Sequence, residues 1–167
     1  MKKLYTLLSL VLLFSCASKK VHKEYDKFSG ESVVKSGHIT FTGWSTGGSL
    51  FFVQKKKVDS KIHAHFTISS IDLEDLTSNS KIGFLLNNAN RVTSTCKNYD
   101  KSCFTGPYGF RECSSSCDYS IKKTDIYKLA NAKSISFRVY LKHDKTKDLD
   151  LDDKDIAIIK EFAQEIG

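Results

Sequence analysis

Over most of the chain, apolar and polar residues alternate with a period of two, the pattern of strands that bury one face. In residues 38–44, Ile39 and Phe41 share one face. Ser45-Thr46-Gly47-Gly48 has the composition of a turn and Ser49 to Gln54 starts a second strand, so the two segments predict a hairpin. The alternation is cleanest over 61–70, where Ile62, Ala64, Phe66 and Ile68 lie opposite Lys61, His63, His65, Thr67 and Ser69. Asp72 to Ser80 reads as a polar loop. Ile82 to Leu86 is a continuous apolar run, as expected of a central strand; Asn87 to Asn90 turns, and Arg91 to Thr95 returns with residues that favour strands. Asp118 to Lys122 resumes strand character. Lys133 to Lys142 alternates again, with Ile135, Phe137, Val139 and Leu141 inward.

The period changes twice. Thr124 to Asn131 predicts a short helix with Thr124 as its cap. At the end of the chain Ile156, Ile159, Ala163 and Ile166 recur at helical spacing beside Phe162. Asp150 or Asp152 is placed to cap this helix, and Asp153 and Asp155 sit in its first turn, where the helix dipole favours negative charge. The fold class expected is therefore mainly β: an antiparallel, β-sandwich-like domain over 28–167, with a short helix before the last strand and a C-terminal helix packed on the sheet. A chain of this length builds one core.

The first residues follow neither period. Lys2 and Lys3 precede an apolar run from Leu4 to Phe14, broken by Tyr5, Thr6 and Ser9. It is too short to cross a hydrocarbon core of about 30 Å as a helix and has the form of a secretory signal. Leu13-Phe14-Ser15-Cys16 resembles the bacterial lipobox, with an aliphatic residue at −3 and a small one at −1; Phe14 at −2 is bulkier than the usual residue there. The resemblance implies a lipoprotein signal peptide over 1–15, cleavage before Cys16, diacylglycerol on the Cys16 sulfur and fatty acyl chains such as palmitate that hold the protein on a membrane. Two or three chains anchor stably where one does not. In enteric-type sorting an Asp after the lipidated cysteine retains a protein at the inner membrane; Ala17 there implies the outer membrane of the cell envelope. Residues 16–27 would be a lipidated flexible tether, carrying Lys19, Lys20, His22, Lys23 and Lys27 and reaching at most about 35–40 Å.

Charge adds little beyond this. The formal charge of +7 falls by two when Lys2 and Lys3 leave with the leader, and acidic and basic residues are interleaved. That suits a solvated surface near anionic lipid or polymer and gives no reason to expect nucleic acid. The cysteines say more. Apart from Cys16 there are four, Cys96, Cys103, Cys113 and Cys117, spaced C-x6-C-x9-C-x3-C. An even number in an exported domain reads as disulfides, and the lack of a C-x2-C pair disfavours zinc and thiol redox chemistry. Strand character on both sides favours the nested pairing Cys96–Cys117 with Cys103–Cys113 among the three connectivities that four cysteines allow. Residues 96–117 then form a stapled loop whose aromatics, Tyr99, Phe104, Tyr108 and Phe110, are a candidate binding surface.

His63 and His65, two apart on one strand face, are placed as zinc ligands would be, with His38 as a possible third. Their face is the polar one and nothing supplies the remaining ligand, so solvated strand histidines are expected and no metal. The acidic residues from Asp144 to Asp155 invite a calcium reading. A loop starting at Asp150 puts Asp155 where the turn needs glycine and Lys154 on a ligand position, so helix capping and a solvated loop explain them better. Gly43-Trp44-Ser45-Thr46-Gly47 has the Gly-x-Ser-x-Gly spacing but falls at the predicted hairpin, where glycine serves turn geometry, and not between a strand and a helix; no reduced cysteine beside a histidine and no phosphate-binding glycine loop is present. Trp44 fits core or sheet edge.

Tyr25-Asp26-Lys27-Phe28-Ser29-Gly30, and Asp125 to Lys133 followed by a strand, an acidic stretch and a helix, resemble a layout found in bacterial exported domains of unknown function. That resemblance implies an order of elements and no activity. The expectation is a non-catalytic envelope protein without a cofactor. It would be held on the membrane by Cys16 and would meet another envelope protein or a glycan through 96–117. The alternatives are a metal-dependent hydrolase using His63, His65 and His38, and a small-ligand carrier with a pocket inside the β structure.

Overall fold

The computed structural model describes residues 21–28, 30–41, 47–55, 62–70, 75–107 and 111–167. Ten strands appear among them: β1 His22–Asp26, β2 Glu31–Lys35, β3 Ile39–Phe41, β4 Gly48–Lys55, β5 Ile62–Ser70, β6 Lys81–Leu86, β7 Asn90–Thr105, β8 Arg111–Ile121, β9 Ile135–Tyr140 and β10 Thr146–Asp150. Helix α1 spans Lys123–Asn131 and α2 spans Asp153–Glu165. The strands run in the order β1-β2-β4-β5-β8-β7-β6-β9-β10, each antiparallel to its neighbours, and β3 pairs with β4. The expected class, a sandwich-like β domain with a short helix and a C-terminal helix, is the one observed.

One strand makes the sandwich. Residues 90–95 of β7 pair with β6, and 96–105 pair with β8. Between them Cys96 faces Tyr119 and Asn98 faces Asp118, so Lys97 is an extra residue, a bulge. A bulge bends its strand and strengthens the local twist. It also reverses the alternation: Val92 and Cys96 are buried, whereas Asn98, two residues on, is exposed. Before the bend the strand buries Val92 and Cys96; beyond it every residue of β7 is exposed.

Phenylalanines fill that core. Phe41 of β3 stacks on Phe137 of β9 at 5.4 Å and 9°. Phe66 of β5 and Phe84 of β6 meet the same ring at 5.6 and 5.2 Å. Phe162 of α2 lies 5.8 Å from Phe52 of β4. Helix α2 begins in a full capping box: the Asp152 side chain accepts from the N–H groups of Lys154 and Asp155 at 2.8 and 2.9 Å, and Asp155 accepts from Asp152 N–H. An ion pair between Lys23 and Glu165 joins β1 to the end of this helix.

Four local expectations are corrected. Helix α1 is capped by Lys122 without a side-chain bond, and Thr124 lies inside it; the chain leaves the ladder at Ile121 and turns directly into the helix, which is held by burying Ile126, Leu129 and Ala130. Part of the supposed tether, His22–Asp26, is an edge strand on β2, with Lys35 bonding Glu24 at 3.0 Å. Part of the supposed acidic loop is β10, whose carboxylates bond across to β9. The segment 96–117 is no appended loop. Its second half belongs to β8, which lies between β5 and β7 and buries Ser115 and Cys117.

Tyr119 is fully buried, its hydroxyl has no hydrogen-bond partner among the described residues, and burial pushes its pKa well above the ordinary value. A buried unsatisfied group is unfavourable by roughly 1–3 kcal/mol. Tyr119→Phe is therefore expected to raise stability by about 1 kcal/mol. Denaturant unfolding checks this; a loss of stability would reveal a bond to that hydroxyl.

Candidate functional site

The outward face of the β1–β8 half is where the residues singled out from sequence meet. Alternation along β5 sends Ile62, Ala64, Phe66 and Ile68 into the core and leaves His63, His65 and Thr67 half-buried outside. Register then sets their neighbours. Phe51 of β4 and Asp118 of β8 flank His65, and Val53 and Ser120 flank His63. Phe51 sits between two imidazoles, with ring centroids 4.7 Å from His38 and 4.8 Å from His65.

His65 is held at both ring nitrogens. Its Nδ1 is 2.7 Å from Asp118 Oδ1 and its Nε2 is 3.2 Å from Thr67 Oγ1. With Nδ1 donating to the carboxylate, Nε2 accepts from the threonine hydroxyl. Asn98 Nδ2 donates to the other Asp118 oxygen at 3.2 Å, and His38 Nδ1 is 2.8 Å from Ser49 Oγ. The His65 and Asp118 side chains are 30% and 32% exposed, so solvent reaches this network. His63 points the same way, but its Nδ1 is buried without a partner among the described residues. The expectation of simply solvated histidines is thus corrected: His65 is a fixed member of a cross-strand network.

An aspartate, a histidine and a hydroxyl in line are the parts of a nucleophilic triad. A triad also needs donors aimed at the developing oxyanion. Here Thr67 lies inside a strand paired on both flanks, opposite Ser49 and Ser116, so the ladder takes the neighbouring N–H groups. The hydrolase reading is no better served by metal. His38 and His65 stand on either side of Phe51, and the nitrogens of His65 are already engaged. The arrangement suits binding: a firm, polar, half-buried platform with an aromatic centre.

The β7–β8 arm continues this face. Its cysteines pair in the nested order, Cys96 with Cys117 and Cys103 with Cys113, at Cα separations of 5.7 and 4.0 Å. Cys103 and Cys113 are directly opposite; Cys96 reaches Cys117 diagonally across the bulge. Phe104, paired with Glu112 and 68% exposed, lies on the side of Asn98 and Asp118. Tyr99, opposite the buried Cys117, points to the other side: five residues separate it from Phe104, and an odd number reverses the face. The four aromatics expected to act together are thus divided. Tyr108, Phe110, Trp44 and Cys16 lie outside the described residues.

What sequence reading missed is the participation of Asp118 and Asn98, which belong to segments read as strand and loop and meet His65 only through register. Comparison with protein-family models, with curated proteins and with solved structures finds no match to this chain.

Proposed function

We propose that the protein is a lipid-anchored component of a bacterial cell envelope, more specifically of the outer membrane. It has a non-catalytic binding role and meets its partner, an envelope protein or a glycan, on the face that joins His38, Phe51, His65 and Asp118 to Phe104. The leader carries the reading: Lys2 and Lys3, the apolar run to Phe14, and Leu13-Phe14-Ser15-Cys16. Pairing of Cys96, Cys103, Cys113 and Cys117 supports it, because disulfides persist in oxidising compartments. The expected tether shortens. β1 starts at His22, so six residues from Cys16 to Val21 span at most about 20 Å, and the domain rides close to the membrane.

Growth with a labelled fatty acid tests the anchor. The wild-type protein is expected to carry label and to fractionate with outer-membrane markers, while Cys16→Ala carries none and leaves the membrane. Equal labelling of the two would overturn the anchor. A photo-crosslinking residue at position 104 is expected to trap the partner in intact cells, and the same residue at position 154, exposed on α2, is not.

A further inference from the structure

The outward face of the other half carries a groove with no part in the reading above. Across β7, β6, β9 and β10 the outward positions form rows: Thr93, Gly83, Arg138 and Asp148, then Arg91, Leu85, Ser136 and Asp150. Gly83 interrupts the first row. Glycine weakens a strand interior and often marks a place where something else approaches the backbone. Its φ is outside the left-handed region, and a Cβ built there would meet Thr93 Cγ2 at 3.7 Å, an ordinary contact. Neither backbone conformation nor packing asks for glycine; what it supplies is an open floor.

Over that floor lies a cavity of about 410 Å³ that adjoins a second of about 740 Å³, the two sharing Thr93 and Tyr140. One wall is already rigid. Arg138 donates through Nε and Nη2 to both oxygens of Asp148, at 2.6 and 2.5 Å. These bonds hold the Asp148 carboxyl below its ordinary pKa and, with Tyr140, raise that of Arg138. Ser136 donates to Asp150 at 2.5 Å. Arg91, Lys81 and Lys142, by contrast, form no ion pair among the described residues. The groove mixes polar and apolar surface, with Tyr140 39% exposed along it. A bound peptide would want deep apolar anchor pockets, whereas Ile82, Phe84, Phe137 and Leu141 of this lining are buried in the core and leave mainly Leu85 and Tyr140 as reachable apolar surface. A chain of sugar rings wants hydroxyl partners and an aromatic face, and unpaired cations on the rim favour one that bears acid groups.

We propose that this groove binds a short anionic saccharide, one ring over Gly83 between Thr93 and Arg138, its acidic groups on Arg91 and Lys81. The proposal does not rest on the lipid anchor or on the arm. The full chain in detergent micelles is titrated calorimetrically with trigalacturonate, maltotriose and inorganic phosphate. Trigalacturonate is expected to bind at least about tenfold more tightly than either of the others, a difference of about 1.4 kcal/mol. Gly83→Val keeps a strand-favouring residue in β6 and fills the floor; it should melt as the wild type does and lose about tenfold in affinity or more. Should Gly83→Val not fold, Gly83→Ala, whose Cβ has room, replaces it and is expected to weaken binding severalfold. Arg91→Ala with Lys81→Ala should erase the preference over maltotriose. The proposal fails if trigalacturonate does not bind, if phosphate or maltotriose binds as well as it does, or if a folded Gly83 variant binds as the wild type.

Discussion

Deleting residues 97–116 is expected to leave no folded domain. The segment looks removable because disulfides close its base and tip. Yet residues 113–116 of β8 pair with 67–70 of β5 on one side, while on the other β8 pairs with β7. Removing them unpairs the last four residues of β5, among them the fully buried Ile68, and takes the buried Ser115 with them. The same chain with its disulfides reduced keeps every ladder bond. The Cys96–Cys117 bridge has a sequence separation of 21. Opening a loop of about twenty residues removes roughly 3 kcal/mol in the chain-entropy model. Reduction should therefore lower the melting temperature by about 6–12 °C and leave a cooperative transition. Far-UV circular dichroism and thermal melts compare the two. A cooperative melt in the deletion variant would mean that β5 finds another partner and that the arm is dispensable after all.

Phe137→Ala is expected to destabilise the domain by about 3–5 kcal/mol, the usual range for emptying a fully packed aromatic site. The position is demanding because Phe137 touches rings from three other strands, Phe41, Phe66 and Phe84, and so joins the two halves of the folded sheet. Collapse into the space would require both halves to move toward each other against the bend at Lys97. Tyr140→Ala, from the outward face of the same strand, serves as the comparison and should change stability by no more than about 1 kcal/mol. Chemical denaturation of the two variants measures the difference. A loss under about 1.5 kcal/mol for Phe137→Ala would mean that strand pairing through β7, rather than the aromatic core, holds the halves together.

Period two was enough to find β3, β5 and β9 and to assign their faces, because each has one apolar side and one polar side, while the turn before Ser49 and the solid apolar run from Ile82 marked β4 and β6 without giving their faces. It failed for β1 and β10. His-Lys-Glu-Tyr-Asp and Thr-Lys-Asp-Leu-Asp have almost no buried face: they are edge strands held by cross-strand pairs such as Lys35 with Glu24 and Arg138 with Asp148. A strand stabilised by its neighbour leaves no periodic trace in its own residues. The arm misled for a related reason. Its outer strand is exposed along most of its length, and the bulge at Lys97 breaks the alternation that would have marked it. The histidines were legible as a pair on one face. Asp118 was not legible as their partner, since a contact between residues 53 apart exists only once β5 and β8 are in register. Gly83 stood inside the apolar run from Ile82 to Leu86, where an isolated glycine is the one available hint of a close approach.

The ion pair between Lys23 and Glu165 brings the first strand of the domain against the last turn of the last helix. The described part of the chain therefore starts and ends at one pole, and the bridge from Cys103 to Cys113 lies elsewhere, on the β7–β8 arm of the sheet. Under the proposed anchoring at Cys16, a molecule fastened by its beginning would be fastened near its end as well. An affinity tag or fluorescent reporter placed after Gly167 would crowd the attachment point, whereas an insertion at the Asn87-Asn88 turn would extend from a different part of the surface. The same closeness makes the topology nearly circular: a short linker from 167 back to 21, with the chain reopened at that turn, would preserve every strand pairing described.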